Sequence, residues 1–128
     1  MGKQVQPGEM NAVTDYSALI DGAGINVCKL LLDDELTILW ANDNFYISSG
    51  FGKDEYQTLF HHIKAYYTGH GDEFAKIKNA FYDVLQKGER RVKVGCRRPL
   101  KDNTCAWINI DGIITGEIVD SKPVALAV

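Results

Sequence analysis

The sequence contains no long hydrophobic run, and this absence excludes several classes of protein. No stretch approaches the roughly 18 consecutive apolar residues that suggest a membrane-spanning helix. The first ten residues, MGKQVQPGEM, have no apolar core, so they are not expected to act as a signal peptide. With 128 residues, the chain has the length of one domain. We therefore expect a single cytoplasmic domain that makes no contact with a membrane.

Excess positive charge is also missing. The net charge is −3, whereas a nucleic-acid-binding domain is usually basic. Strand alternation places Arg91, Lys93 and Arg97 on one face of a predicted strand, and Trp107 is the only aromatic residue expected near them. A nucleic-acid site would need more interleaved aromatic rings. These residues are therefore predicted to form a solvated face or an interface, and no nucleic acid is predicted as a partner.

Residues that could carry chemistry are few. The sequence has an odd number of cysteines, three, and no CxxC spacing: they are Cys28, Cys96 and Cys105. Neither a disulfide framework nor a zinc site is therefore predicted. His61 and His62 are adjacent and would point to different faces of a helix, which disfavours joint metal binding. No Ser-His-Asp set, P-loop or paired carboxylates can be placed. We predict that the chain is not an enzyme and holds no metal.

The motif GHGDEF (69–74) is the most suggestive short stretch. It differs by one residue from the GG[DE]EF signature of enzymes that make cyclic di-GMP, in which two glycines let a tight hairpin approach the nucleotide phosphates. Here His70 replaces the first glycine. Asp72 and Glu73 favour the N-terminal end of a helix dipole, and Phe74 begins an apolar stripe. The motif therefore predicts the start of a helix rather than a cyclase site.

The periodicity of the whole chain predicts an α+β domain. An amphipathic helix is expected at 8–21, short helices at 42–52 and 53–60, and one long helix at 72–87. Asn42 or Asp43 is predicted to cap the first short helix, and Asp54 the second. Strands are expected at 26–32, 36–41, 90–98, 104–115 and 122–128.

Side-chain pairing predicts the register of the third and fourth strands. One register sets Val94 opposite Ile110 and Lys93 opposite Asp111, so that apolar meets apolar and a cation meets an acid. The register shifted by one residue would instead set apolar residues opposite polar or charged residues. The first register is therefore predicted, and it requires Asn103 to close the connecting turn in a left-handed conformation.

Two stretches resemble a PAS domain. In ILWANDNFYISSGFGKDEY (38–56), a strand runs into an Asn, an aromatic residue follows three positions later, and a small-Gly-aromatic step precedes an acidic helix start. These positions are Asn42, Phe45, Ser49, Gly50, Phe51, Asp54 and Glu55. The stretch FYDVLQKGERRVKVGCRRPLKDNTCAWINI (81–110) is similar to the family's helix, basic strand, KDG turn and Trp-bearing strand, with Asn103 where the family usually has Gly.

The resemblance implies a fold for residues 25–128. It implies a five-stranded antiparallel sheet in the order 2-1-5-4-3 with helices packed on one face, as in PAS and profilin-like domains. Residues 1–24 are then expected to form an N-terminal cap helix or linker. Family members usually continue into a signalling helix, so we expect this chain to be a fragment of a larger signalling protein.

The resemblance also implies a ligand cavity between sheet and helices. Its candidate residues are Leu30, Phe45, His62, Tyr66, Phe74, Ile77, Phe81, Val94, Ile108 and Ile110, and plain core packing is the alternative explanation for all of them. Haem and flavin are disfavoured, because the long helix has no His and the segment LFHHIKAYYTG has no Cys, where binding members of the family carry theirs. No cofactor is predicted, and any ligand would be an unknown small molecule.

The other face of the sheet implies a partner. Leu31 and Trp107 are predicted to point away from the helices and to need cover. Met10 and Val13 of the N-terminal helix, or a second copy of the chain, would provide it. Both arrangements occur in the PAS family, so the resemblance implies a homodimer. The resemblance implies a sensory domain that signals to a C-terminal effector: a histidine kinase, a GGDEF/EAL enzyme or a transcription regulator. The alternative is a small cone-shaped ligand carrier or enzyme with an apolar pocket.

Overall fold

A computed structural model describes Leu19 and residues 22–128 of the chain. The predicted helix at 8–21, with Met10 and Val13, lies outside the described residues apart from Leu19, and the division of the chain after residue 24 stays a prediction. The elements are β1 (Cys28–Leu31), β2 (Thr37–Ala41), α1 (Asp43–Ile47), α2 (Lys53–Leu59), α3 (Ile63–Tyr66), α4 (Gly71–Gln86), β3 (Arg91–Pro99), β4 (Cys105–Val119) and β5 (Lys122–Ala127). No helix in this described part is long and apolar enough to cross a membrane.

The five strands form one antiparallel sheet in the order β2-β1-β5-β4-β3. β1 pairs with both β2 and β5, and β4 pairs with both β5 and β3. The last strand of the chain therefore lies at the centre of the sheet, between the two hairpins. This order is the predicted one, and it confirms the α+β fold class.

The predicted register of β3 and β4 is confirmed. Val94 lies opposite Ile110 and Lys93 opposite Asp111. The Lys93 Nζ and Asp111 Oδ1 atoms are 3.6 Å apart on the solvent face. Asn103 closes the turn with a φ of 68°, a left-handed conformation that Asn tolerates better than most residues.

The GHGDEF stretch is a helix start, as predicted. His70 is the N-cap and α4 begins at Gly71. The apolar stripe that begins at Phe74 is buried against the sheet, as periodicity requires of an amphipathic helix. At the same end, Glu73 Oε1 accepts a hydrogen bond of 2.6 Å from the backbone N–H of Arg97, which joins the first turn of α4 to β3.

Asn42 caps α1, as predicted, and it also holds the chain that leads into β1. Its side-chain Oδ1 accepts hydrogen bonds from the backbone N–H groups of Phe45 at 3.3 Å and Val27 at 2.8 Å. Its Nδ2 donates to the carbonyl of Ile25 at 2.8 Å. The side chain is buried, so these bonds replace contacts with water.

The predicted cap of α2 is wrong. The helix begins at Lys53 with Gly52 as its N-cap, so Asp54 lies within the first turn. There its carboxylate still favours the helix dipole without accepting a capping bond. The Lys53 ammonium lies 3.1 Å from the Asp43 carboxylate of α1, which links the starts of the two helices.

Phe81 packs directly on the backbone of β4. Its side chain is 0% exposed, and a Cβ atom added to Gly112 would lie 2.9 Å from its Cε1 atom. Real Cβ contacts are essentially never that close, so glycine at 112 lets the ring of α4 reach the sheet. A side chain at position 112 would therefore push the Phe81 ring, or α4 itself, away from the sheet at this point.

We expect Gly112→Ala to lower the free energy of unfolding by about 1–3 kcal/mol, the usual cost of overpacking a core. Urea denaturation followed by circular dichroism measures the change. Gly71→Ala is the matched control, because a Cβ there meets nothing within 4 Å and the substitution lies in the same helix–sheet unit. Equal stabilities of the two variants would contradict the proposed role of Gly112.

Candidate functional site

A cavity of about 280 Å³ lies between α4, α1 and the inner face of the sheet. Its volume is at the lower end of the range of about 300–1,000 Å³ typical of ligand pockets. Most of the lining is apolar. Six of the predicted site residues line it: Leu30, Phe45, Ile77, Phe81, Ile108 and Ile110.

Four predicted site residues do not line this cavity. His62 caps α3, since its Nδ1 accepts a hydrogen bond of 3.1 Å from the N–H of Ala65, and with Phe74 it borders a separate groove. Val94 is half-buried on β3. Tyr66 is buried, and its hydroxyl donates to the carbonyl of Pro99. The segment that connects α2 to α4, which contains His62 and Tyr66, thus contributes to the packing of the domain more than to the lining of the cavity.

Tyr66 belongs to an aromatic cluster that fixes the short helices relative to one another. The ring of Tyr56 stacks on Tyr66 with centroids 5.2 Å apart, and it meets Tyr46 and Phe60 edge to face at 5.1 Å each. Such aromatic pairs contribute about 0.5–1.5 kcal/mol beyond their buried area. Phe45 joins the cluster 5.6 Å from Tyr56 and also lines the cavity, so one wall of the cavity is rigidly supported.

Sequence reasoning missed seven of the lining residues, and Arg98 is the one among them that has a charged side chain. Only 6% of its surface is exposed, and it lines the cavity. Its Nη1 donates to Ser48 Oγ at 2.6 Å, and its Nη2 donates to the carbonyl of Phe45 at 2.8 Å. The guanidinium also lies over the rings of Phe45 and Tyr66, 5.2 Å and 5.5 Å from their centroids. The signal was alternation, because a strand that turns Arg97 to solvent turns Arg98 inward.

The other groups around Arg98 are neutral. Burial raises the pKa of the Cys28 thiol to about 12, and the nearby Arg98 charge opposes this rise only partly. Burial also raises the pKa of Tyr66, again against the effect of Arg98. Among the residues described as lining the cavity, Arg98 is the only charged side chain. The arrangement can bind a largely apolar molecule through one fixed cation.

The same burial predicts a clear order of thiol reactivity. Because the thiolate is the reactive form, a raised pKa slows alkylation of Cys28 and Cys96, whereas Cys105 is exposed. We expect iodoacetamide at pH 8 to modify Cys105 first, and all three thiols only in denaturant. Intact-mass spectrometry counts the adducts. Cys105→Ser is the control and should leave no rapidly modified thiol, whereas fast labelling of this variant would refute the assignment.

No family model matches the chain, and no curated protein is similar to it. Several solved structures are similar. The PAS domain of an HTR-like protein from Haloarcula marismortui superposes with a TM-score of 0.62 at 14% identity, over 91% of this chain and 88% of that one. A sensory box histidine kinase/response regulator from Burkholderia thailandensis gives a TM-score of 0.61 at 15% identity, over 88% of this chain and 79% of that one.

This chain has the PAS fold. A LOV protein from Rhodobacter sphaeroides matches as well, with a TM-score of 0.62 and 19% identity over 93% of this chain. The chain spans 65% of that protein's length, and 35% of the length of an RNA-binding Light-Oxygen-Voltage receptor. At these identities the likeness concerns the PAS fold itself, and it does not extend to a ligand.

The absence of haem and flavin stays a prediction for this PAS fold. Two observations bear on the fit of such groups. α4 contains no histidine to approach the cavity, and the stretch from α3 to the start of α4 contains no cysteine. His62, in the connecting stretch, is already engaged as a helix cap. The thiol at the cavity is instead Cys28 of β1.

Proposed function

We propose that this chain is the sensory domain of a cytoplasmic signalling protein and that it binds a small, largely apolar molecule in the cavity between α4 and the sheet. The cavity itself is the observation that carries the proposal, since it combines an apolar lining with one buried cation. The likeness to a sensory box histidine kinase supports a signalling context. The effector, a histidine kinase, a GGDEF/EAL enzyme or a transcription regulator, would lie outside this chain.

The position of the cavity suggests how a signal would leave it. Phe45 of α1 lies on one side of the cavity, and Ala127 and Val128, at the end of the central strand β5, lie on the other. A ligand that contacts both sides shifts the balance between two packings of the helical side against the sheet, provided that it binds one packing more tightly. β5 then conveys the change to whatever follows it.

Dimerisation is a second candidate function, supported by the outer face of the sheet. Trp40 of β2 and Trp107 of β4 are 44% and 63% exposed there, and Ile113 of β4 is also exposed. Leu31, which the sequence also assigned to this face, is buried. Large exposed apolar side chains on one face are typical of an interaction surface. Sedimentation analysis of Trp107→Lys against the unaltered protein tests it, and equal association of the two proteins would argue against this face.

Filling the cavity should weaken ligand binding. We propose Ile110→Trp, which places a larger side chain at the lining, with Ile113→Trp on the outer face of the same strand as its control. Amide NMR titrations with indole and hexan-1-ol should shift cavity resonances in the unaltered protein and in the control. The affinity of Ile110→Trp should fall at least about tenfold, which corresponds to about 1.4 kcal/mol.

Two outcomes would overturn the sensory proposal. The first is the absence of any shift in cavity resonances up to millimolar concentrations of either compound. The second is binding of equal strength in Ile110→Trp, which would locate the compounds elsewhere on the domain. Circular dichroism of both variants verifies that each one folds before the titrations are compared.

A further inference from the structure

We infer that the cavity takes a small monocarboxylic acid, whose carboxylate pairs with Arg98 and whose apolar body lies against Phe45, Ile77 and Ile108. This inference rests on the proposed function and names the ligand class for the same site.

The argument begins with the charge balance of Arg98. No carboxylate of the described residues makes an ion pair with its guanidinium, although seven lysine–carboxylate ion pairs are formed in that part of the chain. Its recorded acceptors, Ser48 Oγ and the carbonyl of Phe45, are both neutral. A buried charge is costly unless it is paired, and two neutral acceptors and two ring faces compensate it only in part. An anion in the cavity would supply the missing charge.

The geometry suits a carboxylate in particular. A guanidinium presents five N–H donors in a planar fork, and the bonds to Ser48 and Phe45 use one donor on each of the two terminal nitrogens. Tyr66 interacts with the same group through its hydroxyl. Donors therefore remain on a side chain that lines the cavity. A carboxylate has two oxygens that match adjacent guanidinium donors, as a phosphate does, and the charge of the lining then distinguishes the two anions.

The rest of the lining limits the ligand to one negative charge. No second cationic side chain lines the cavity among the described residues. The second carboxylate of a dicarboxylic acid would therefore lack a cationic partner, since the other polar lining residues, Asn26 and Asn109, are neutral, and a phosphate, with a charge of about −1.5 to −2, would be only half neutralised. The apolar residues favour a ligand whose remaining atoms are hydrocarbon or aromatic. A short aliphatic or aromatic monocarboxylate has the single negative charge, the paired oxygens and the apolar body that these observations require.

Arg98 also ties β3 to α1, and this structural role needs a test that separates it from binding. The unaltered protein provides one. We propose amide NMR titration at pH 7 with hexanoate and benzoate, each compared with its neutral isostere, hexanamide or benzamide. The acids should bind at least about tenfold more tightly than the amides, because only the carboxylate compensates the guanidinium.

Variants localise the effect. Arg98→Gln should reduce the affinity for benzoate to that for benzamide, so that the variant no longer distinguishes the acid from the amide. Arg97→Gln is the matched control, since Arg97 is the neighbouring arginine on the exposed face, and it should bind like the unaltered protein. If Arg98→Gln does not fold, the comparison of acid with amide in the unaltered protein still decides.

The possible outcomes distinguish the two proposals. Amides that bind the cavity as tightly as the acids would overturn the monocarboxylate inference and leave the sensory proposal standing. Equal affinity of Arg98→Gln and the unaltered protein for benzoate would do the same. If neither acids, amides, indole nor hexan-1-ol shift the resonances of cavity residues, both proposals fail together.

Discussion

The contact between the Phe81 ring and the bare Cα of Gly112 is the constraint on which the rest of the domain depends. At this contact α4 lies directly against the sheet, and the neighbouring side chains enclose the cavity beside it. Ile77 lies one helical turn before Phe81, and Ile110 lies two residues before Gly112, and both border the cavity. The cavity is thus the space left beside the point at which Gly112 allows the helix to approach the sheet closely.

Arg98 determines the chemical character of that space. It extends from β3 beneath α1 and bonds oxygens of that helix at Phe45 and Ser48, so it is both a brace and the one fixed charge at the cavity. A brace of this kind could be built from neutral groups at a lower desolvation cost. The presence of arginine in this position is the reason for assigning an acidic ligand rather than a purely apolar one.

Much of the fold could be predicted from the sequence, because pairing and periodicity are local. Facing charges and facing apolar residues determined the β3–β4 register, and the start of α4 followed from the acids after His70. The site was harder to predict. His62 was assigned to the cavity from its place in the chain, but its imidazole caps a helix. Arg98 could not be assigned from the sequence, because strand alternation directs it inward whereas its charge suggests exposure. The contacts that stabilise it there come from residues far away in the sequence.

The buried amide of Asn42 joins two parts of the chain that are far apart in sequence. One oxygen accepts from the backbone N–H groups of both Phe45, at the cavity, and Val27, ahead of β1, so these bonds connect α1 to the segment that enters the sheet. A displacement of Phe45 must either break one of these bonds or pull the segment 25–27 with it. A displacement of Phe45 at the cavity is therefore coupled to the segment that precedes β1, as well as to the C-terminal strand β5.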